Sequence, residues 1–472
     1  MNVFFYGLCG YTTLLQPRWL VATDYLYLLY SSSYMALFSN LELSENKLRH
    51  NRGSIFSSAT LIAGTTVGAG ILALPLVTTP AGLLPSTVLM ILSWLYMLIS
   101  GLLIAEANLQ VMERIGHAQV GLLATIQNSL GRRAAIACGV VYIFIHYTLL
   151  VAYVSRGGSI LTAALKNSSL YVSIPHLSAA WMGHILFVTL FGSILFWGSE
   201  RFVSRLNTIL VAVVVSSFIR LLWLTVERVE VSRWANQNWD AVGAIVPVMF
   251  VALVYQNVVP VVAHQLEGDK RRVRWAIILG SLMPLMMFAI WNAVILGSVD
   301  WRGGLFDGLE PTELLRGGLG RPGIQVAASV FSEFAIATSF IGFALGLFSV
   351  FEDVFRTFRP SNLILRKVLF YALILLPPLA LSALYPNIFL SAVNWAGAFG
   401  NSVLFGVVPA LMVWKLQSDR PSANLNDHST VKTDKKIISA LFFYSSRVLL
   451  SVMIGIACLV IAQNAAMKLG VL

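Results

Sequence analysis

Apolar residues recur along the chain in long runs that short polar segments separate. A run of about 20 residues, at about 1.5 Å per residue, matches the roughly 30 Å hydrocarbon core of a bilayer. Helices are the expected spanning unit, because each one satisfies its own backbone hydrogen bonds in lipid. Hydropathy predicts eleven spans, at about 55–80, 86–110, 134–156, 179–198, 203–226, 241–263, 274–298, 324–350, 365–384, 388–414 and 438–463.

The composition supports an all-α integral membrane protein. Hydrophobic residues make up 57% of the 472-residue chain and charged residues only 11%, against about 25% charged residues in soluble domains. The net charge of +11 does not indicate a nucleic-acid partner, because the basic residues fall in short loops rather than on one face. The lipid bilayer is therefore the expected partner.

The loops indicate the topology. Basic residues concentrate in the segments that would lie inside if the N-terminus is inside, for example 270–274. The positive-inside rule therefore predicts an inside N-terminus and an outside C-terminus. Residues 1–52 form a Ser- and Tyr-rich leader that we expect to be unstructured, either an organellar targeting segment or a dispensable extension. Residues 53–472 form the transmembrane domain.

Glycines interrupt the first span near its middle. Gly64, Gly68 and Gly70 flank the pair Thr65-Thr66, and residues without a Cβ permit the helix to unwind. Unwound backbone at this depth is costly unless it lines a cavity and binds something. Amide groups that open the second half-helix suit a carboxylate, and carbonyl groups that end the first suit an ammonium group or a cation. The alternative is a helix-packing motif at Gly64-x-x-x-Gly68.

The sixth span shows a second interruption. Pro247 and Pro260 bracket the polar triplet Tyr255-Gln256-Asn257, where proline breaks the backbone ladder and polar side chains need partners. The first and sixth spans take corresponding positions in two five-helix halves. Broken helices at such positions are typical of an inverted-repeat transporter site.

Four segments together resemble the aromatic amino acid permeases, which are tyrosine- and tryptophan-specific proton symporters of the amino acid–polyamine–organocation superfamily. They are GTTVGAGILALP (64–75), HYTLLVAYVSRGG (146–158), RRVRWAIILGSLMPLMMFAIWNAVILG (271–297) and AIATSFIGFALGLF (335–348). The resemblance implies a leucine-transporter-type fold with broken helices one and six. Its repeats would cover about 55–226 and 241–414, followed by an extra helix at about 438–463. Helices one, two, six and seven would move as a bundle against a scaffold.

The resemblance and the breaks together predict a substrate site. In this fold a tyrosine of the third helix commonly reaches a substrate carboxylate, which implies that role for Tyr153. Serine and threonine on the eighth span are weaker candidates, because their default use is an interhelical hydrogen bond. The predicted substrate-binding residues are Thr65, Thr66, Gly68, Ala69, Gly70, Tyr153, Tyr255, Gln256, Asn257, Ser332 and Thr338.

Ionisable residues within spans need a reason, because a charge at mid-bilayer costs about 2.5–3.5 kcal/mol. Glu106, His146 and Glu333 are candidates for proton coupling. Histidine titrates near neutral pH when unperturbed, and a carboxyl group on a site-lining helix is a candidate for reversible protonation. The structural alternative for Glu106 is an interfacial carboxylate, and that for His146 is a packed core histidine. For Glu333 it is a partner for a cavity water. Arg156, at the predicted outer end of its span, is interpreted as an interfacial anchor whose side chain snorkels.

These observations predict proton-coupled symport of an aromatic or related neutral amino acid, tyrosine or tryptophan first. A sodium-coupled or exchange permease for another amino acid and a non-transporting sensor remain as alternatives. No hydrolase or metalloenzyme motif is present, and the cysteines and histidines follow no metal-ligand spacing. We therefore expect no enzyme activity, no cofactor and no metal. The leader would fit the plastid inner envelope, and the plasma membrane is the alternative location.

Overall fold

The computed structural model describes most of the chain after residue 40. The described residues are 41–44, 47–50, 53–68, 70–115, 120–166, 179–198, 200–298, 322–354, 363–385, 388–419 and 446–469. Strands β1 (Leu41–Ser44) and β2 (Lys47–His50) pair antiparallel and set Glu42 opposite Arg49. This hairpin lies within residues 1–52, the segment that the sequence predicts to be an unstructured leader.

Helices account for the rest of the described secondary structure. They are α1 (Ile55–Thr66), α2 (Gly70–Thr78), α3 (Leu83–Ile115), α4 (Leu122–Leu130), α5 (Arg132–Lys166), α6 (Ala179–Trp197), α7 (Glu200–Val226), α8 (Val246–Ala252), α9 (Val259–Gln265), α10 (Lys270–Ser298), α11 (Pro322–Val354), α12 (Leu363–Leu384), α13 (Phe389–Trp395), α14 (Val408–Ser418) and α15 (Arg447–Lys468). Short 3-10 turns cover Val231–Ala235, Asp240–Ile245 and Gln256–Val258. A π-helix at Ala396–Val407 joins α13 to α14.

The all-α membrane fold is confirmed. Within the described ranges, nine helical segments are long and apolar enough to cross a bilayer, and α1 with α2 makes a tenth, bent by 55°. A shorter apolar helix, Trp181–Trp197, occupies the position of the fourth predicted span. The count of eleven spans and the inverted repeat stay predictions.

Several boundaries differ from those that hydropathy gives. The last described helix begins at Arg447, where the Ser446 hydroxyl accepts a hydrogen bond from the Leu449 amide at 3.3 Å and caps the first turn. Residues 438–445 lie outside the described ranges. The third predicted span continues ten residues beyond 156, and α4 has no counterpart among the predicted spans.

Both predicted breaks are present. In the first, α1 ends at Thr66 and α2 begins at Gly70. There the Ile71 amide donates to the carbonyl of Gly68 at 3.2 Å instead of to that of Val67, as a continuous α-helix requires. In the second, α8 ends at Ala252, and a 3-10 turn follows before α9.

The helices pack into two groups around the breaks. Helix α10 lies along α1 and α3, where Gly280 meets the backbone of Ala59 and Trp94 donates to Ser281 at 3.1 Å. Helices α5, α6, α7 and α11 pack on one another through aromatic side chains, for example Phe218 against Phe331 at 5.6 Å. The bundle and scaffold that the resemblance implies stay a prediction.

Candidate functional site

The first break lies against helices α11 and α8. A Cβ atom added at Gly68 would overlap the Ser339 hydroxyl oxygen, and one added at Gly70 would lie 2.7 Å from the Cα atom of Ala252. Ala252 is the last residue of α8, directly before the second break. The absence of a side chain at both glycines therefore brings the two interruptions into contact. Ala69 lies outside the described residues.

Tyr153 of α5 joins this contact. Its side chain is 4% exposed and its hydroxyl is hydrogen-bonded to the side chain of Ser339. The ring of Phe343 meets the Tyr153 ring edge-on with centroids 5.6 Å apart. Ser339 also donates to the Ala335 carbonyl of its own helix at 3.0 Å. The predicted residues Gly68, Gly70 and Tyr153 are thus brought together, with Ser339 at their centre.

The second break is held by the side chain of Gln256, which is fully buried. Its Oε1 atom accepts from the Tyr255 amide at 2.9 Å, and its Nε2 atom donates to the Met97 carbonyl at 3.1 Å. The first bond satisfies an amide group that the break releases, and the second fastens the break to α3. Gln256 therefore stabilises the unwound segment by replacing hydrogen bonds that a helix would make.

Tyr255 points its side chain toward α3. The hydroxyl donates to the Met97 carbonyl at 3.2 Å. A Cβ atom at Gly101 would lie 2.5 Å from the same hydroxyl oxygen. The absence of a side chain at Gly101 leaves the space that the phenol ring fills. The Tyr255 ring therefore packs between α3 and the second break.

The other predicted substrate residues differ in how their polar groups are used. The hydroxyls of Thr65 and Thr66 donate to the carbonyls of Leu61 and Ile62, both at 2.8 Å, and that of Thr338 donates to the Ala335 carbonyl at 3.0 Å. Only the lone pairs of these hydroxyls remain for a ligand. Among the described residues, no hydrogen-bond partner meets the buried Oδ1 atom of Asn257 or the buried Oγ atom of Ser332.

Ser332 lies two helical turns from Ser339 on the same face of α11, because seven residues make about two turns. Tyr153 and Gly68 contact this face of α11 at Ser339. Ser332 is fully buried. Its position extends the polar stripe of this helix by about 10 Å from the first break.

The second half-helix of the first pair is fixed to α10. Trp291 donates to the Ile71 carbonyl at 3.0 Å, and Asn292 accepts from the Thr78 hydroxyl at 2.6 Å. The amide of Asn292 also donates to the Ser86 hydroxyl at 3.0 Å. These bonds join α2, α3 and α10, so that the amide groups at the start of α2 are held in a defined direction.

Glu106 lies away from the breaks, near the first turns of α10. Its carboxylate is 3.6 Å from the Arg274 guanidinium and accepts from the Gln110 amide at 2.8 Å. About two turns further along α3, Glu113 pairs with Lys270 of α10 at 3.2 Å. An interfacial carboxylate is the alternative that the sequence leaves open for Glu106, and its partners here are Arg274 and Gln110.

His146 is buried on α5, two turns from Tyr153. Its Nδ1 atom is 2.8 Å from the Tyr142 carbonyl, its ring stacks on that of Tyr142 with centroids 4.0 Å apart, and it also contacts Phe343. The Nε2 atom would lie 3.0 Å from a Cβ atom at Gly346. Glu333 lies partly buried on α11 beside Ser332. These two candidates therefore belong to the pair α5 and α11 that carries Tyr153 and Ser339.

The interpretation of Arg156 as an interfacial anchor stays a prediction. The residue is only 5% exposed. Because α5 runs to Lys166, Arg156 lies about 15 Å before the end of the helix. The arginine belongs to the buried interior of the helix group.

Sequence reasoning missed residues that the structure places at the breaks. They are Met97, Gly101, Ala252, Ser339 and Asn401. Hydropathy does not show which polar residue on a helix faces a break, so it does not single out Ser339 or Asn401. The seven-residue spacing of Ser332, Ser339 and Gly346 was the available signal for a common face.

The geometry can recognise a small molecule that bears both charges. The two breaks meet. At each one, the peptide groups that lack helical partners face protein rather than lipid. The start of α2 presents amide groups, and the end of α8 presents carbonyl groups. Helix termini of this kind favour anions at the amino end and cations at the carboxyl end.

Comparison with known proteins identifies relatives over most of the chain. The family model described as the tryptophan/tyrosine permease family matches residues 51–452. The tyrosine-specific transport system 1 of Haemophilus influenzae is 28% identical over 378 residues, which cover 78% of this chain and 89% of that protein. The tryptophan-specific transport protein of Shigella flexneri is 30% identical over 375 residues, which cover 76% and 86% respectively.

A solved structure has a similar fold. The crystal structure of the Eremococcus coleocola manganese transporter, in complex with an aromatic bis-isothiourea substituted compound, aligns with a TM-score of 0.50. The alignment covers 88% of this chain and 91% of the transporter chain at 14% identity. At this identity the likeness shows the fold alone.

Proposed function

The chain belongs to the tryptophan/tyrosine permease family, and we propose that it is a secondary active transporter for tyrosine, tryptophan or a related neutral amino acid, coupled to protons. The relatives named above are transport proteins for these two amino acids. Membership of this family supports the function of an aromatic amino acid permease.

The observation that carries the proposal is the contact between the two breaks. Gly70 opens α2 and packs on Ala252, the last residue of α8. A packing motif alone, the alternative for the first span, requires no second interruption at the same place. Two interrupted helices in contact support a binding site that uses main-chain groups.

We place the substrate carboxylate at the amide groups that open α2, near Gly68, Ala69 and Gly70. The ammonium group takes the carbonyl ends at Thr65, Thr66 and α8. The positive end of a helix carries the equivalent of about half an elementary charge, which favours the carboxylate without a fixed lysine or arginine. Tyr153 stands beside this position through Ser339. Asn257 and Ser332 offer buried oxygen atoms for the remaining polar contacts of the substrate.

For coupling, we propose Glu333 first, because it lies on α11, the helix that contacts the first break. His146 lies on the facing helix α5 and is the second candidate. Glu106 is the third, since its carboxylate already pairs with Arg274. The distribution of basic residues supports an inside N-terminus and an outside C-terminus. The location is the plastid inner envelope or the plasma membrane.

The test is uptake of radiolabelled tryptophan and tyrosine into proteoliposomes. A pH gradient, acidic outside, should drive accumulation above the equilibrium level, and a sodium gradient at equal pH should not. Accumulation driven by sodium alone, or only by exchange against internal amino acid, would replace the proton-coupled proposal with the alternative permease. Saturable binding without uptake in either gradient would favour a sensor.

A further inference from the structure

The tenth predicted span contains a long π-helix rather than a continuous α-helix. It covers Ala396–Val407, and α13 and α14 extend it on both sides. A π-helix is rare and usually limited to one turn, and such turns occur frequently at functional sites. Within the π-helix the Ser402 hydroxyl donates to the Gly397 carbonyl at 3.0 Å. We therefore expect this segment to have a role beyond spanning the membrane.

Glycines bring the π-helix into close contact with three neighbouring helices. Gly397 lies against the Pro247 carbonyl of α8, Gly400 against Ile145 of α5, and Gly406 against Tyr96 of α3. Glycine permits this approach because a Cβ atom would collide with the backbone of Pro247 or with the side chains of Ile145 and Tyr96. The π-helix is thus in direct contact with the half-helix that precedes the second break.

The second break releases the Phe250 carbonyl group of α8 from its helical donor. In a continuous helix the Phe250 carbonyl would accept from the Val254 amide. That amide instead lies 3.4 Å from the Val251 carbonyl. The Nδ2 atom of Asn401, in the π-helix, donates to the Phe250 carbonyl at 3.3 Å. Asn401 supplies the donor that the interruption has removed.

The hydrogen bond to the Phe250 carbonyl accounts for the buried amide of Asn401. Asn401 is fully buried, and within the described part of the chain its Oδ1 atom has no hydrogen-bond partner. A buried carboxamide with half of its capacity unused is costly, so an apolar residue would pack more favourably if packing were its only role. The tether to the released carbonyl explains why an amide is present.

We propose that Asn401 is a positioning residue for the substrate site: its amide fixes the carbonyl end of α8 at the second break. The inference rests on the proposed function for its effect on transport, but its structural part is independent of the substrate. Loss of the amide leaves the Phe250 carbonyl without its donor. The broken segment then loses its attachment to the π-helix and samples other arrangements.

The chain offers a matched control on the same span. Asn394 donates to Asn464 of α15 at 3.5 Å, a contact between two helices that does not involve the break. The same substitution at both positions, Asn401→Leu and Asn394→Leu, removes one interhelical amide in each case. A difference between the two variants therefore reports the tether rather than the general cost of losing an asparagine.

The first measurement is hydrogen exchange of the purified protein in detergent, followed in peptides that cover residues 250–258. Asn401→Leu should exchange faster there than the wild type, and Asn394→Leu should not. Asn401→Ser, which also lacks the amide but introduces less volume, provides the same comparison if the leucine variant does not accumulate. Unchanged exchange in whichever Asn401 variants accumulate would overturn the proposal.

The second measurement is the kinetics of tryptophan uptake, compared at equal amounts of reconstituted protein. The Asn401 variants should raise KM about tenfold, with a smaller change in the maximal rate, whereas Asn394→Leu should keep the wild-type KM. An unchanged KM in Asn401→Ser would contradict a positioning role. If the wild type does not transport any aromatic amino acid, the proposed function fails, while the exchange measurement still decides the tether.

Discussion

The hydroxyl group of Tyr153 is hydrogen-bonded to the side chain of Ser339, and Ser339 lies directly against Gly68. One polar contact thus joins the third and eighth predicted spans at the point where the first span is interrupted. The partners come from α5 and α11, two helices that pack on each other. A change in the break is therefore transmitted directly to the hydrogen bond between these two helices.

Gly68→Ala should abolish most uptake without loss of protein from the membrane. An added Cβ atom overlaps the Ser339 hydroxyl oxygen, so the break or α11 has to move. Gly64→Ala is the control, because a Cβ atom there meets nothing within 4 Å and alanine favours the helix by about 0.5–1 kcal/mol. Uptake and membrane abundance are measured together. Equal activity of the two variants would show that the fit at Gly68 is not needed.

Tyr153→Phe should raise the KM for tryptophan about fivefold, since a hydrogen bond contributes about 1 kcal/mol. Tyr147→Phe is the matched control on the same helix. Its hydroxyl donates to the Leu373 carbonyl of α12 at 2.8 Å, away from the breaks. That variant should lose some thermal stability and keep its KM. If both variants changed KM alike, the role of Tyr153 would be structural.

Substitution should show which of the two carboxyl candidates, Glu333 or Glu106, couples transport to protons. Glu333→Gln should retain substrate binding and lose accumulation driven by the pH gradient, because a neutral amide cannot take up and release the proton. Glu106→Gln should retain the coupling. Its ion pair with Arg274 is partly exposed, and such pairs contribute at most about 1 kcal/mol. Uptake with and without the gradient distinguishes binding from coupling, and the reverse pattern would assign the proton to Glu106.

The sequence predicts the fold well and the site in part. Hydropathy locates the spans because each helix must present apolar side chains to lipid, and glycine and proline locate the breaks because they interrupt the backbone ladder. The partners of the breaks are harder to predict. Thr338 and Ser339 are adjacent, yet only Ser339 meets Gly68, a difference of about 100° around the helix that hydropathy does not show. Met97 and Gly101 carry no polar signal at all.

The ends of helices were a second source of error. Hydropathy places the end of the third span at Arg156, because a charged residue interrupts the apolar run there. The helix continues to Lys166, and Arg156 is buried. A charge therefore marks a helix end only when it reaches water, and tertiary packing decides whether it does. The π-helix at Ala396–Val407 was likewise not predicted, since its apolar and glycine-rich sequence also fits an ordinary span.

The central claim, that substrate binds where the two breaks meet, is tested most directly by protection of introduced cysteines. With the native cysteines replaced by serine, Thr65→Cys and Val254→Cys place one thiol on each partly buried break, and Ser451→Cys places one on an exposed face of α15. The rate of labelling by a small membrane-permeant maleimide is then measured with and without saturating tryptophan. Tryptophan should slow labelling at both breaks and leave Ser451→Cys unchanged. Protection at neither break, in protein that still takes up tryptophan, would contradict the account.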